Sequence, residues 1–348
     1  MPHVDLFDAA GSNSAMIVFS PELHKRASRW DAKAEGRPIV VTPRDLDFLY
    51  ALFIHGPLST AMLRALIAPT VSQWTVTERL KELKRKPNGF IDQPWQQRAA
   101  VNANYNHLVV SLARAGLQVL LENARITTEQ ARWYVGINEN RKTYEHDTMA
   151  AHIMASLEIG CRESADLRFI SWLDIFSHEK CPSETKAAHN PFVIPYSIDK
   201  TEHTVIPDGL CAIAHREHGV SFYAIEADRN NEPIETSNLA RSSYAKHLHG
   251  YRYILRNELY KTHYGVPNMQ VLNITVSELH MMNIMAHLKK TTSERARHLS
   301  GAHPFLFKAV PSLGRRVNKP PPTGHVLTES FRRIGHDSIF INSSDVLN

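Results

Sequence analysis

Two short stretches decide the fold of the second half of this chain: IPDG at residues 206–209 and VSFYAIEAD at residues 220–228. The second stretch is mostly apolar until its end, where one alanine separates two acidic residues. Because side chains alternate along a strand, Glu226 and Asp228 lie on the same face. A hairpin between the two stretches places Asp208 beside them, and charges at the end of an apolar strand need a partner. The sequence therefore predicts three carboxylates at one edge of a β-sheet.

Three neighbouring carboxylates repel one another unless a cation lies between them. Carboxylate oxygens suit Mg²⁺ or Mn²⁺, and such an ion activates bound water and stabilises charge that develops on a phosphate. On the next predicted helix, Lys246 supplies a positive charge for a phosphoryl oxygen. Tyr253 follows on the same helical face, and Gly250 between them leaves the approach open. The predicted catalytic residues are Asp208, Glu226, Asp228 and Lys246.

Residues 141–310 have the order of elements expected of an α+β domain. A long helical pattern at 141–163 precedes strand-like segments at 168–176, 192–198, 204–214 and 220–227. Another helix, 237–263, precedes a buried strand at 270–276. This order predicts a mixed central sheet flanked by helices. Beyond residue 310, consecutive prolines and few apolar residues predict a basic, proline-containing tail at 311–348.

Residues 41–125 show three short helical patterns and then a hairpin, after a basic N-terminal arm at 1–40. Thr42 and Ser59 are predicted caps of the first two helices, and Thr75 has capping-box spacing for the third. This is the order of a winged helix-turn-helix, whose third helix enters the major groove while the hairpin lies along the DNA backbone. A packing or dimerisation module is the alternative. The predicted DNA-binding residues are Thr75, Lys81, Arg85 and, on the wing, Arg98.

The charge distribution is uneven. The 348 residues carry a net charge of +5. Residues 72–86 hold five basic and two acidic side chains, and residues 286–319 hold eight basic and one acidic. Residues 201–235 hold seven acidic and two basic. Basic flanks around an acidic centre favour a polyanionic partner, although an acidic solvated face would give the same pattern.

Several other classes are not supported. No apolar run reaches the ~20 residues that cross a bilayer, so no membrane partner is expected. Neither a secretory signal nor a disulfide framework is visible, which favours a cytoplasmic location. A P-loop is missing. His178, Cys181 and His189 bracket one loop, but a zinc site would need a fourth ligand.

The combination of these motifs resembles the PD-(D/E)xK nuclease superfamily, and more closely the replication-relaxation family of plasmid and phage proteins. The family pattern begins with a His-Asp pair and a later Glu, matched here by His146-Asp147 and Glu158. Its Pro-Asp, Glu and helical Lys fall on Asp208, Glu226 and Lys246, and its Tyr on Tyr251 or Tyr253.

The resemblance implies a winged helix joined to a metal-dependent nuclease domain, as in mobilisation relaxases that nick DNA at a transfer origin. Asp147 and Glu158 would be ~16 Å apart on one helix, too far for one metal ion. Glu158 is therefore favoured as the site carboxylate, while His146 and Asp147 position substrate or cap the helix. The implied metal ligands are Glu158, Asp208, Glu226 and Asp228.

The sequence predicts a metal-dependent DNA endonuclease or nickase, relaxase-like, that acts on plasmid, phage or other mobile DNA. The expected partner is double-stranded DNA; nicked or single-stranded DNA and a homodimer are further options. Asp228 stands where the nuclease pattern has Lys. The alternative is therefore a non-catalytic replication or mobilisation accessory factor, or a transcriptional regulator, with a degenerate nuclease domain. A third hypothesis is that the winged helix recruits protein partners.

Overall fold

Side-chain caps begin the N-terminal helices. The computed structural model describes residues 36–97, 108–139, 143–198, 200–230, 233–234, 244–291, 304–313 and 320–342. Thr42 and Asp45 form a reciprocal capping box, and the Ser59 hydroxyl accepts from the Met62 amide, so both predicted caps are confirmed. The cap of the third helix lies three residues earlier than predicted, because Ser72 rather than Thr75 caps it, by accepting from the Thr75 amide.

The N-terminal unit, residues 36–122, combines helices with a small sheet of three strands in the order β1-β3-β2. The two strands of the predicted hairpin are present as β2 and β3, shifted by one to two residues, and β1 pairs with β3 as well. Its elements are α1 (Pro43–His55), β1 (Leu58–Ser59), α2 (Thr60–Ile67), α3 (Gln73–Lys84), β2 (Ile91–Asp92), β3 (Val109–Leu112) and α4 (Arg114–Glu122).

The remaining chain begins with α5 (Thr128–Glu139) and forms a larger sheet with helices on both faces. The following elements are α6 (Tyr144–Arg162), β4 (Leu167–Ser171), α7 (Trp172–Ser177), α8 (Ser183–Ala187), β5 (Ile194–Ile198), β6 (Thr201–Val205), β7 (Gly209–His215), β8 (Gly219–Asp228), α9 (Tyr244–Arg256), α10 (Leu259–Tyr264), β9 (Gln270–Thr275), α11 (Glu278–Thr291), β10 (Phe305–Ala309), α12 (His325–Thr328), β11 (Phe331–Arg333) and β12 (His336–Ile339).

The larger sheet has seven strands in the order β12-β11-β10-β9-β8-β7-β4. Strands β8, β9 and β10 run parallel, and the other neighbouring pairs are antiparallel. The order α6, β4, β7, β8, α9, β9 follows the predicted succession of helix, strands, helix and strand. The predicted strand at 192–198 instead forms β5 in a separate ribbon with β6, and the predicted strand at 204–214 is divided at 206–208 into β6 and β7. The mixed sheet and the α+β class are therefore confirmed.

Alternation along β8 divides the core between the two faces of the sheet. Ile225 belongs to the same buried cluster as Ile153 of α6. Its neighbour Ala224 belongs to the cluster that contains Tyr251 of α9 and Ile284 of α11. Helix α6 thus covers one face, and α9 and α11 cover the other. Helix α6 also contacts α1 and α2, which joins the N-terminal unit to the sheet.

Three predictions of local structure are wrong. The strand predicted at 168–176 ends at Ser171, whose hydroxyl caps α7. The long helix breaks at Glu258, which has a left-handed conformation, and resumes as α10. The predicted tail after residue 310 instead contributes β11 and β12, with Phe331 and Ile341 buried. This pair of strands covers the edge of β10, which would otherwise expose unpaired backbone groups.

Within the part of the chain described above, no helix is long and apolar enough to cross a membrane.

Candidate active site

The Pro-Asp motif lies at the start of β7, fastened to the end of β8. The Asp208 amide donates to the Ile225 carbonyl at 2.9 Å. The Asp208 carboxylate in turn accepts from the Ala227 amide at 2.9 Å. These two bonds hold Asp208 beside Glu226, as the hairpin argument predicts.

Each carboxylate of this cluster lies next to a different histidine. His146 Nε2 is 3.1 Å from Asp208 Oδ2, and His280 Nε2 is 2.6 Å from Asp228 Oδ2. His247 Nδ1 is 3.8 Å from Glu226 Oε2. We call these six residues the strand-end site. Glu226 and Asp228 are only 4% and 5% exposed, so their charges depend on these neighbours for stabilisation.

Three different helices supply the histidines. His146 lies in the first turn of α6, on one side of the sheet, and its Nδ1 is 3.6 Å from Asp147 Oδ1. His280 lies in the first turn of α11 and His247 in the first turn of α9, both on the opposite side. The N-terminal ends of these helices therefore converge on the end of β8 where Asp228 and Glu226 lie.

Tyr251 completes the surroundings of Glu226. Its hydroxyl donates to Glu226 Oε1 at 2.5 Å, and both side chains are buried. Burial, together with the neighbouring Glu226 carboxylate, raises the pKa of Tyr251 well above its usual value. The phenol therefore stays protonated and acts as a hydrogen-bond donor.

Helix α9 does not present the residues that the sequence predicts. Lys246 is exposed, and it is His247 and Tyr251, four residues apart, that face Glu226. Tyr253 lies elsewhere, donating to the Ser197 carbonyl at 2.9 Å. Residues one or two positions apart point in different directions around a helix, which explains why the sequence reasoning selected Lys246 and missed His247.

The expectation that Gly250 leaves an open approach is wrong. A Cβ at this position would lie 2.5 Å from Val205 Cγ2 and 3.0 Å from the Tyr196 hydroxyl. The β5–β6 ribbon therefore packs directly on α9 at this point, and glycine permits that close contact.

Glu158 lies at the other end of α6, away from the strand-end site. Its Oε2 is 2.7 Å from His55 Nε2 of α1, and its Oε1 accepts from Arg162 Nε at 2.9 Å. Burial alone would raise the pKa of Glu158, but His55 and Arg162 together lower it to about 2. The choice of Glu158 over Asp147 as the site carboxylate is therefore wrong: the N-terminal end of α6, with His146 and Asp147, meets Asp208, and the C-terminal end meets the N-terminal unit.

The described residues do not offer a ready divalent-metal site. Among them, no group of three or more His, Cys, Asp and Glu side chains is arranged to hold a metal ion. Each carboxylate of the strand-end site is oriented toward its own histidine. This arrangement does not fit the predicted Mg²⁺ or Mn²⁺ set, of which Glu158 is also remote.

On α3, the predicted DNA-contacting residues Thr75, Lys81 and Arg85 are exposed. The opposite face of the helix is buried through Val76 and Leu80. Lys81 Nζ is 2.6 Å from Glu78 Oε1. The fourth predicted contact, Arg98, lies outside the described residues.

No family model matches this chain, and neither does a curated protein or a solved structure. The resemblance to the replication-relaxation family stays a prediction.

His247 and His280 are the site residues that sequence reasoning missed. For His280 a signal exists: a helix that follows a parallel strand starts at the carboxyl edge of the sheet, where Asp228 was predicted. For His247 no local signal distinguishes it from Lys246, because the orientation of α9 depends on its packing against the sheet.

Proposed function

We propose that this protein binds DNA through its N-terminal unit and cleaves or nicks phosphodiester bonds at the strand-end site. The observation that carries the proposal is the convergence of Asp208, Glu226 and Asp228 with three histidines at one end of β8. Burying these charges costs free energy that an ordinary apolar strand end would not require. Clusters of this kind are typical of functional sites.

The order of elements supports the same proposal. A helix precedes three antiparallel strands, and a second helix leads to a parallel fourth strand. Asp208 begins the second strand and Glu226 lies near the end of the third. These are the relative positions that the PD-(D/E)xK resemblance implies for its Pro-Asp and Glu.

The acid–histidine pairs supply the proton transfers that hydrolysis requires. A carboxylate beside an imidazole orients the ring and stabilises the imidazolium that forms when it takes up a proton. His146 lies between Asp147 and Asp208, at 3.6 and 3.1 Å. Both of its ring nitrogens are buried and face these carboxylates. His146 is therefore proposed to position Asp208, which is our candidate to accept a proton from water or return one to a leaving oxygen. The Mg²⁺ or Mn²⁺ requirement remains a prediction, and none of these steps depends on it.

DNA contact by α3 is the second part of the proposal. Its exposed face carries Thr75, Lys81 and Arg85, while the other face is buried in the core of the N-terminal unit. Basic side chains on an exposed helical face can neutralise phosphates, so affinity should fall steeply as salt increases. Double-stranded DNA is the proposed partner.

A non-catalytic DNA-binding protein is the second candidate. It is favoured by the exposure of Lys246 and by the fact that each strand-end carboxylate already contacts a histidine. In that case the pairs would serve only to stabilise the end of the sheet.

Plasmid nicking separates the two candidates. Purified protein is incubated with supercoiled plasmids bearing different replication or transfer origins, in Mg²⁺, in Mn²⁺ and in chelator. We expect nicked circles from the wild type and none from Asp208→Asn. The matched control is Asp166→Asn, an exposed carboxylate near the distant end of β7. If Asp208→Asn nicks as fast as the wild type, or no plasmid is nicked while DNA still binds, the non-catalytic candidate is correct.

A further inference from the structure

Two tryptophans of the N-terminal unit are unusually exposed. Trp74 is 73% exposed in the first turn of α3, and Trp95 is 68% exposed in a short turn after β2. Singly exposed hydrophobic side chains are common on protein surfaces, so these rings indicate a binding surface only together with the charges beside them. Neither ring contributes to the core of the N-terminal unit.

Trp74 shares its helical face with basic residues. Positions i, i+7 and i+11 lie on one side of an α-helix, so Trp74, Lys81 and Arg85 form one exposed row. Arg85 and the adjacent Lys86 are both exposed, and neither has an acidic partner among the described residues. Glu78 lies on the same side of the helix and pairs with Lys81 at 2.6 Å. The positive charge near Trp74 that has no acidic partner among the described residues is therefore that of Arg85 and Lys86.

Hydrogen bonds of Gln93 and Gln97 hold the turn that carries Trp95. Gln93 accepts a hydrogen bond from Lys84 Nζ at 2.7 Å, which ties the turn to the end of α3. The Gln97 side chain accepts from the Val109 amide at 2.9 Å and donates to the Val109 carbonyl at 2.6 Å. The turn is thus fixed at both ends, and the exposed indole projects from an ordered backbone.

Trp74 and the Trp95 turn lie near opposite ends of α3. Lys84, which holds the Trp95 turn, lies ten residues from Trp74, or ~15 Å along the helix axis. A strand of stacked nucleotides advances ~3.4 Å per base. This axial separation, which we call the track length, is therefore that of roughly four to five nucleotides.

We propose that Trp74 and Trp95 stack on the bases of an unpaired stretch of DNA, while Arg85 and Lys86 contact its phosphates. This inference rests on the proposed function, because it requires that the N-terminal unit binds nucleic acid. Bases in a duplex are already stacked on each other, whereas unpaired bases offer free faces to an indole ring. The positive charges of Arg85 and Lys86 complement the phosphates of the same strand. The ligand of this surface is therefore an unpaired stretch within or next to the duplex of the proposed function.

Fluorescence anisotropy of the full-length protein tests this proposal. The probes are fluorescein-labelled dT15 and a 15-base-pair duplex. We expect Trp74→Ala and Trp95→Ala each to weaken dT15 binding about tenfold, while duplex binding changes less than twofold. Trp74→Phe should retain most of the affinity, since a phenyl ring still stacks. Phe340→Ala, which removes an exposed aromatic ring of the C-terminal strands, is the matched control and should bind like the wild type.

Track length provides a second measurement. Binding of dT6 should depend on both rings, whereas dT3 is too short to reach both, and the double alanine variant should lose more affinity for dT6 than for dT3. Equal losses for dT15 and duplex, or no loss for either, would overturn the stacking proposal while leaving DNA binding intact. Failure of the wild type to bind either probe would overturn both the stacking proposal and the proposed function.

Discussion

The two ends of α6 make the same kind of contact in different settings. At its start, His146 meets Asp208 of the sheet. Near its end, Glu158 meets His55 of the N-terminal unit. The second pair is reinforced by Arg162, which hydrogen-bonds Glu158 and also donates to the Leu66 carbonyl of α2. The contact between His55 and Glu158 joins residues 103 positions apart in the sequence, and it lies beside a cleft of about 390 Å³.

The difference indicates two roles. Glu158 is a single carboxylate held by one histidine and one arginine, an arrangement that fastens the N-terminal unit to α6. Asp208 belongs to a group of three carboxylates, each matched with one histidine. Placing three acid–histidine pairs together, with Glu226 and Asp228 buried, is costly for stability alone, and that concentration distinguishes a candidate reactive site from a structural ion pair.

Replacing His146 or His55, one at each end of α6, with glutamine should give the largest difference in the rate of plasmid nicking. We expect His146→Gln to slow plasmid nicking by ~10²-fold or more, because Asp208, the proposed proton-transfer group, loses the imidazole that positions it. His55→Gln should nick within a fewfold of the wild type at a temperature where it is folded. Gel quantification of nicked circles measures both rates. Equal losses in the two variants would remove the functional distinction between the ends of α6.

The free energy of unfolding should depend more on Glu158 than on Asp208, the reverse of the effect on nicking. Glu158→Gln leaves His55 and Arg162 without their carboxylate, and we expect the free energy of unfolding to fall by about 3 kcal/mol. Asp208→Asn keeps an oxygen for the Ala227 amide and should change it by less than about 1 kcal/mol. Urea denaturation with an unchanged m-value measures both. A larger loss for Asp208→Asn would identify the strand-end site as the structural one.

Acid should weaken the Glu158 contact in a defined range. The pKa of Glu158 in the folded protein is about 2, against a usual value of 4.5. Because folding lowers this pKa, the stabilisation is complete above pH 4.5 and is lost as the pH falls toward 2. The wild type should exceed Glu158→Gln by about 3 kcal/mol near neutral pH and by little near pH 2. A difference that stays constant with pH would contradict this assignment.

Tyr251→Phe tests the buried hydrogen bond at the strand-end site. Its hydroxyl donates to the Glu226 carboxylate, and losing a bond to a buried charged group should cost about 2 kcal/mol. Tyr253→Phe is the matched control: its hydroxyl donates to a backbone carbonyl at the surface, and we expect a loss of less than about 1 kcal/mol. Thermal and urea unfolding distinguish the two. Equal losses would show that Glu226 does not depend on Tyr251.

Arg125→Ala should have the smallest effect. Arg125 pairs with Asp47 at the mouth of the cleft, and both side chains are more than a third exposed. Such surface pairs contribute less than about 1 kcal/mol and are weakened by salt. Urea midpoints at low and high salt measure the change. If the loss were as large as that of Glu158→Gln, the contact between the N-terminal unit and α6 would be stabilised mainly by surface pairs and not by His55 and Glu158.

Local patterns account for what could be predicted. The caps at Thr42 and Ser59, the apolar strand ending in Glu226 and Asp228, and the proximity of Asp208 to that strand depend on neighbouring residues and on the two-residue period of strands. The C-terminal strands were missed because residues 311–348 are too short and too polar to show a pattern, and only the exposed edge of β10 explains them.

The sequence by itself determined the caps, the mixed sheet and the placement of Asp208 beside Glu226, because these follow from backbone periodicity and short-range hydrogen bonds. Only the tertiary structure decided that His146 rather than Glu158 reaches Asp208, and that His247 rather than Lys246 faces Glu226. Both choices depend on which end of a helix meets the sheet and how far the helix is rotated. Those quantities are set by burial of the whole helical face against distant strands, a long-range balance that no local pattern encodes.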